Sequence, residues 1–574
     1  ENLAIIATKS EQETGCIDYH RIEKDHVDII LPVHNELDFT KNFINKLYAT
    51  ADYPFQLIIV DDASTDGTAD FLDECLMKYN EICVVNNEVN KGFLLSVNEG
   101  LKLSENDFVL IANNDLEFTG KGWLSTTVNT LKQNSDIGAV GIELLHDKVD
   151  FLSMCYFMTR KSIIEKIGFL DERYCPAVFE DVDYSTRIQL EGYGIVAVQI
   201  PVIHINNNAY QLGQSKLQLA ETNRNKFKEK FKFIDRDHKI VFHVNNQLYV
   251  GGIEEVIKNL VKYKKNGYEI WVASPQDGRM TKELEDYGAK VFIGNFNRIF
   301  NLMNIIKFDI VHTHSAGELS YPNALANAIV PKPIRIETIH SPGLSNATPD
   351  RLDKLVAVSQ DTMYRQIFGN TEFIPNGVDM DKINNHGTGR TDAITIGKFC
   401  RIAKDKKVLD FIIACYRINK IVGDKYNLQF ELVGEDATLS YKYKLLNLIK
   451  SLGMTNFKFS PETRNISFID RWDIGLNPTT SEGYGITNAE ILAYGVPVVT
   501  YDSFANRELV INGLTGFLCE VDDINGLVSR TIKLIKDEKL RHAMGMQGKQ
   551  LMAKYTAVDM SNSYYDLYER LING

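Results

Sequence analysis

Three acidic clusters stand out in the first third of the sequence, because carboxylates so placed can hold a cation or move a proton. Asp61 and Asp62 close the run FQLIIVDD and lead into the small-residue turn ASTDGT, Asp115 closes DFVLIANND, and FEDVDYSTR carries Glu180, Asp181 and Asp183. Ligands of open α/β sheets sit at the carboxyl ends of strands, where the first two clusters fall. Carboxylates beside a diphosphate make chemical sense when a hard divalent cation bridges them, since bare phosphate oxygens would repel Asp115. The second half offers different chemistry. Gly251 and Gly252 follow a strand and precede a helix start, so backbone N–H groups there can approach a phosphate closely. Near the far end, TTSEGYGITNAEILAYGVPVVT sets Glu482 and Glu490 around a glycine turn with seven residues between them. His312 and His314 form an HxH pair that, without a third ligand, reads as structural or acceptor-facing rather than as a metal site. Asp66, in an Asp-Gly step, reads as a turn or cap residue, and Arg187 as a salt-bridge partner on the helix after the acidic motif.

Positioning these residues requires alternating strands and helices. VDIILPV (27–33), FQLIIVDD (55–62), EICVVNN (81–87) and DFVLIANND (107–115) are short β-branched runs separated by helical patterns, which predicts βαβ units on a largely parallel sheet. A second series begins afresh at residue 239, with KIVFHVN, YEIWVAS, AKVFIG, FDIVHTH, IRIETIH and KLVAVS. Between the two series, residues 211–237 hold good helix formers with apolar spacing at Leu217, Phe227 and Phe231, so a helix closes the first domain. A third block opens at AITIGKF (393–399), after the polar stretch NNHGTGRTD, which suits a hinge or connecting loop. The expected division is an extension of unplaced role over 1–24, a first domain over 25–236 and a bilobal second domain over 237–574. Within the latter, lobes span 237–388 and 389–550, and residues 551–574 form a helix that returns to the first lobe.

The bulk numbers agree with a multidomain chain. At 574 residues, a length prior of ~150 residues per domain gives three or four folding units. A composition 44% hydrophobic and 24% charged is ordinary for a globular protein, and no apolar run approaches the ~20 residues that span a bilayer. No charged start with an apolar core marks residues 1–24 for secretion, so a cytoplasmic location is expected. The eight cysteines are dispersed with no CxxC pair, which argues against a zinc site or a disulfide framework. A net charge of −13 disfavours nucleic acid as a partner.

In order along residues 27–235, LPVHNE, VDDASTDGT, NKGFLLSVNEGL, NNDLEF and FEDVDYSTRIQLEGYG resemble glycosyltransferase family 2, in particular its rhamnosyltransferase-like branch. The resemblance implies the GT-A fold, a single Rossmann-like domain, with a nucleotide-sugar donor and inversion at the anomeric carbon. It implies that Pro32, Asp61 and Asp62 line the nucleoside pocket, with Asp62 on base or ribose, and that Lys91 and Gly92 approach the diphosphate. Asn114 and Asp115 stand where the family has its DxD-type motif. Asn114 replaces the first carboxylate, so Asp115 carries the divalent cation, manganese or magnesium, with His204 beside it. Asp181 is implied as the base that strips the acceptor hydroxyl, with Glu180 in support and Asp183 as an understudy.

VHTHS, IPNGVD and CRIAKDKK, together with the paired glutamates, resemble the retaining glycosyltransferases of family 4 over residues 240–574. The implied fold is GT-B, two Rossmann-like lobes facing across a cleft. The resemblance makes Arg401 and Lys406 the grip on the donor diphosphate, Glu490 the acceptor for the ribose diol, and Glu482 the residue facing the transferred sugar. Gly483, Tyr484 and Gly485 form the turn whose N–H groups lie nearby, and His340 contacts the donor sugar. No metal is implied, because two fixed cations take its place. This sequence has Cys400 where the family has glycine before the arginine. A rival register puts Lys398 in the arginine's role, but only Arg401 keeps both the Lys406 spacing and the following helix.

These readings together predict a bifunctional α/β enzyme. It would transfer sugars from UDP-, GDP- or dTDP-sugars to a growing, lipid-linked glycan of a bacterial surface polysaccharide, inverting in its first domain and retaining in its second. The alternative is one catalytic domain beside a glycan- or nucleotide-binding one. Basic stretches at Lys226–Lys232 and Lys258–Lys265 read as solvated helix faces, with peripheral membrane contact as an accessory property.

Overall fold

A computed structural model describes residues 26–205, 213–233, 236–249, 251–315, 331–341, 343, 345, 348, 351–384, 392–434, 439–461, 465–480, 482–503 and 505–574. The extension over 1–24 and nearly all of the NNHGTGRTD stretch lie outside them. The chain divides into two compact units, residues 1–237 with 294–306, and residues 238–293 with 307–574.

The first unit contains β1 (Val27–Val33), β2 (Phe55–Asp61), β3 (Ile82–Asn86), β4 (Phe108–Ala112), β5 (Leu116–Phe118), β6 (Ile137–Gly141), β7 (Leu144–His146), β8 (Asp150–Leu152), β9 (Tyr156–Arg160), β10 (Gly194–Ala197) and β11 (Val202–His204). Seven of these strands form one sheet in the order β10-β6-β9-β4-β1-β2-β3. The central strands are continuous apolar runs because helices cover both faces: every residue of β4 is buried. β1 runs parallel to β2 with Val33 opposite Asp61, so Pro32 and the Asp61–Asp62 pair end together at the carboxyl edge. The sheet is parallel except for β9, which runs antiparallel between β4 and β6. Outside that sheet, β11 pairs antiparallel with β5, His204 opposite Leu116, and so meets the residue following Asp115.

The helix that closes this unit spans Gly213–Lys230, with Phe227 and Phe231 buried as expected; the Leu217 side chain lies outside the described residues. Phe296–Ile306, which sequence order assigns to the second domain, groups with the first unit instead. There the Arg298 guanidinium and the Asn301 amide (3.0 Å) donate to the carbonyls of Glu191 and Gly192, and Asp136 accepts from Asn295 and Asn297. Cys83 is disulfide-bonded, a bridge of which the dispersed spacing gave no sign.

The second unit holds two parallel sheets. The first contains β12 (Lys239–Val244), β13 (Tyr268–Ser274), β14 (Lys290–Ile293), β15 (Ile310–Ser315), β16 (Ile334–Ile339), β17 (Lys354–Ala357) and β18 (Thr371–Phe373), ordered β14-β13-β12-β15-β16-β17-β18. The other contains β19 (Ile394–Phe399), β20 (Leu428–Val433), β21 (Phe457–Ser460), β22 (Ile474–Leu476), β23 (Val498–Tyr501) and β24 (Gly516–Cys519), ordered β21-β20-β19-β22-β23-β24. Each sheet reverses its strand order beside its first strand, the doubly wound arrangement whose switch point opens a ligand crevice. These are the two Rossmann-like lobes of the GT-B expectation. The helix Ala557–Asn573 returns to the first lobe, where Met560, Tyr564, Tyr565 and Tyr568 join the core of Val241, Leu260, Ile310 and Ile336. Among the described residues, no helix is long and apolar enough to cross a membrane.

Candidate active sites

In the first unit, Asp62 is buried and accepts from the backbone N–H groups of Lys91 (2.8 Å) and Gly92 (2.7 Å) and from the Asn87 amide (3.0 Å). Its carboxylate therefore braces the loop expected to approach a diphosphate. Gly92 sits at φ 90°, where a side chain is strained, and an added Cβ would lie 3.3 Å from Pro176. Asp61 accepts from the Ser64 N–H, and Asn114 donates to Thr40. The Lys91 ammonium is held by Asn87 and by Glu99 at 2.6 Å.

The pair expected to hold a cation is brought together: His204 Nε2 lies 3.2 Å from Asp115 Oδ2. The Asp115 carboxylate, with help from Cys155, raises the His204 pKa to about 10. His204 also clusters with Cys155 and Glu143, whose ligand-type atoms and its own all fall within 4.8 Å of one another. A carboxylate and an imidazole, with a second carboxylate and a thiol at hand, make a donor set that fits a divalent cation.

Glu180 and Asp181 open the helix Glu180–Leu190, reached through Val178 and Phe179 at positive φ. Burial raises both carboxyl pKa values, and in Glu180 the neighbouring Asp181 charge adds to the effect. Asp181 accepts from the Val182 N–H, while Glu180 Oε2 is buried with no hydrogen-bond partner. Asp183 faces the other way, into an ion-pair network with Arg187 (2.8 Å) and Lys230 (2.5 Å). That network occupies both Asp183 oxygens and gives Arg187 its expected partner. Asp66 accepts from Leu37 and Thr68, as a turn and cap residue should.

In the second unit, ten of the residues singled out by sequence line one cavity of about 510 Å³: Gly251, Gly252, His340, Arg401, Lys406, Glu482, Gly483, Tyr484, Gly485 and Glu490. Gly251 and Gly252 stand at the start of the helix Gly252–Lys262, which turns its N–H groups toward the cavity mouth. The glycine turn has a steric reason. A Cβ on Gly483 would lie 2.0 Å from the His340 carbonyl oxygen, and Gly485 takes φ 87° before the helix Ile486–Ala493. Lys406 pairs with Glu482 at 2.7 Å. Arg401 is exposed and reaches Asp405 only at 3.4 Å, which leaves its guanidinium able to swing onto an anion. Lys398 is fully buried, with its ammonium on the Asn477 side chain (2.6 Å) and the Pro478 carbonyl (3.0 Å).

Two features of this cavity escaped sequence reasoning. Lys382 is on its wall, held by Glu255 at 2.6 Å; burial opposes its charge, but Glu255 and Glu490 outweigh burial and raise its pKa. The HxH pair also has a third imidazole: His243 on β12 lies opposite His312 in register, a link between distant strands that no local pattern announces.

Comparison with known proteins finds family matches in both halves of the chain. Residues 28–168 match the family model described as Glycosyl transferase family 2, residues 250–382 match Glycosyltransferase Family 4, and residues 379–551 match Glycosyl transferases group 1. Among curated proteins, the capsular polysaccharide biosynthesis glycosyltransferase CapM of Staphylococcus aureus is 31% identical over 163 residues, 28% of this chain and 41% of CapM. An Escherichia coli UDP-Gal:alpha-D-GlcNAc-diphosphoundecaprenol alpha-1,3-galactosyltransferase is 21% identical over 379 residues, covering 57% of this chain and 96% of that protein. Among solved structures, Anabaena Alr3699/HepE in complex with UDP and glucose has a TM-score of 0.50 at 16% identity, covering 58% of this chain and all of that one; the likeness is one of fold.

Proposed function

We propose that this glycosyltransferase, a family 2 region followed by family 4 and group 1 regions, makes two sugar transfers with separate active sites. The observation that carries the reading is that each unit has its own carboxylate centre. The first has Asp115 beside His204 and the buried carboxyl pair Glu180 and Asp181, and in the second Glu482 and Glu490 share one cavity with Arg401 and Lys406.

In the first unit Asp181 takes the proton from the acceptor hydroxyl as that oxygen attacks opposite the leaving diphosphate, which inverts the anomeric carbon. Burial raises the basicity of both Asp181 and Glu180, and the Asp181 charge adds to the effect in Glu180. Asp62 keeps the Lys91–Gly92 loop in place for the phosphates. Asp115 and His204 would hold a divalent cation, whose positive charge would offset the charge growing on the leaving group.

In the second unit Arg401 and Lys406 take the cation's part, gripping the diphosphate as it departs. Glu490 accepts from the ribose diol, and Glu482 and the Gly483–Gly485 turn face the transferred sugar. This site retains the anomeric configuration. The donors are nucleotide sugars, UDP-sugars foremost, in keeping with the UDP complexes of the fold relative. The acceptor is a growing surface glycan on a lipid carrier, as the names of the capsular and diphosphoundecaprenol-acting relatives suggest, with peripheral contact at the membrane. Tethering the two sites raises the effective concentration of the intermediate glycan for the second transfer.

Two labelled donors and a lipid-linked acceptor test the division of labour in Asp181→Asn and Glu482→Ala variants. Each variant should fail to add one sugar and keep the other; a variant that still adds both sinks the assignment.

A further inference from the structure

β12, β15 and β16 lie side by side, with His243 opposite His312 and His314 opposite Thr338. The imidazoles on these strands form a hydrogen-bonded line into the cavity. His243 Nδ1 lies 2.9 Å from His314 Nε2, and His314 Nδ1 lies 3.1 Å from Nε2 of His340, which lines the cavity. His312 stays out of the line because both its ring nitrogens are taken, one by Tyr568 Oη (2.7 Å) and one by Thr338 Oγ1 (2.8 Å).

Burial holds all four pKa values well below the usual histidine range, and among the described residues no carboxylate hydrogen-bonds any of the four. Each ring is then neutral, with one N–H and one lone pair. Three neutral rings in a line must all point the same way. If they point inward, His340 donates to His314, His314 donates to His243, and His243 keeps an N–H on Nε2, an atom buried with no partner. If they point outward, His243 has only a bare lone pair there. A buried orphan N–H is the rarer and costlier defect. The outward direction puts the proton on Nδ1 of every ring, and because Nε2 of His340 is occupied, Nδ1 is what that ring can offer to the cavity.

On this ground, and resting on the sugar-transfer reading of the second unit, we propose that His314, backed by His243, is a positioning residue that fixes the tautomer of His340. His340 then meets an oxygen of the donor sugar as an Nδ1–H hydrogen-bond donor. A cation shared by His243, His312 and His314 is the competing arrangement. The hydrogen-bonding distances and the two occupied nitrogens of His312 favour the line of rings.

Nitrogen-15 NMR of the full chain labelled at histidine, with the His340 signals assigned by their loss in His340→Gln, reads the tautomer directly. Wild-type protein should carry the His340 proton on Nδ1. His314→Phe removes the donor to Nε2 and should move that proton to Nε2, with kcat of the second transfer falling roughly tenfold and the donor KM little changed. His314→Asn puts an amide N–H where Nδ1–H stood and should restore the Nδ1–H form and most of kcat. An Nε2–H signal in wild-type protein overturns the proposal, as does an unmoved proton in His314→Phe or stoichiometric zinc on the histidines. The wild-type spectrum decides the tautomer even if the Phe variant does not fold. A chain with the expected tautomer that moves no sugar from any nucleotide donor would sink the transfer reading and leave the tautomer assignment standing.

Discussion

Lys406 meets Glu482 at 2.7 Å on the wall of the second unit's cavity, so the cation suited to a diphosphate is already paired with the carboxylate suited to the transferred sugar. Thr479 donates to the same carboxylate oxygen at 3.0 Å. A donor entering the cavity must part the two charges.

Glu482→Gln should therefore separate binding from transfer. Freed of its partner, Lys406 should bind UDP roughly fivefold more tightly, the equivalent of about 1 kcal/mol for a partly buried pair. Transfer by the second unit should fall by about a hundredfold or more. Calorimetric titration with UDP and steady-state rates check both. Weaker UDP binding would mean that Glu482 is needed to hold the ammonium in place.

Glu180 and Asp181 give the first unit a distinct pH dependence. Burial raises both pKa values, so the base becomes available only above the usual carboxylate range of about 4. First-unit kcat/KM should rise with pH through the raised value, whereas an unburied carboxylate would already be ionised. Stability has the opposite slope. With a raised folded-state pKa, the contribution of Glu180 is fully present below the unfolded pKa and is lost as pH rises through the folded one. Glu180→Gln should accordingly raise Tm at pH 8 and leave it nearly unchanged at pH 4, by thermal melts of the two proteins.

Chelation should distinguish the two sites. EDTA is expected to abolish transfer by the first unit, whose Asp115 and His204 are 3.2 Å apart, and to spare the second, which uses Arg401 and Lys406. Manganese should restore the loss, and in Asp115→Asn it should not. A second transfer equally sensitive to EDTA would contradict the reading of both sites.

Gly483 offers a steric test. Its absent Cβ would lie 2.0 Å from the backbone oxygen of His340, so Gly483→Ala must push the catalytic turn or the His340 strand end aside. A loss of about 1–3 kcal/mol in stability is expected, with a fall in second-unit kcat. Gly369→Ala is the control, because nothing lies within 4 Å of the position a Cβ would take there. Equal melting of the two variants would show that the turn gives way freely.

The strands on which these sites rest were legible because β-branched runs such as LIIV and VDIILPV bury both faces and cannot be read as amphipathic helix. The antiparallel β9 was not: YFMTR looks like any short strand, and its direction is set by partners far along the chain. Ten residues of the second cavity's lining were named from sequence because its glycines and charges occur in short, ordered segments. Lys382 was missed because a lysine on a short helix carries no local mark of facing Glu255, which is brought to it by the fold. Asp62 has a role the sequence did not announce: its oxygens hold amides 29 and 30 residues along, a bond pattern with no trace in the surrounding sequence. The grouping of Phe296–Ile306 with the first unit was equally hidden, since an amphipathic helix does not say which neighbour covers its apolar stripe.

The helix Ala557–Asn573 supplies Tyr564, Tyr565 and Tyr568 to a core otherwise built from strands and helices that precede it by most of the unit. On the ribosome, β12–β18 emerge long before those tyrosines do. Until then that core lacks its tyrosines and His312 lacks its Tyr568 partner. The core of the first lobe is thus completed only after the second lobe has been synthesised, which ties the folding of the two lobes together.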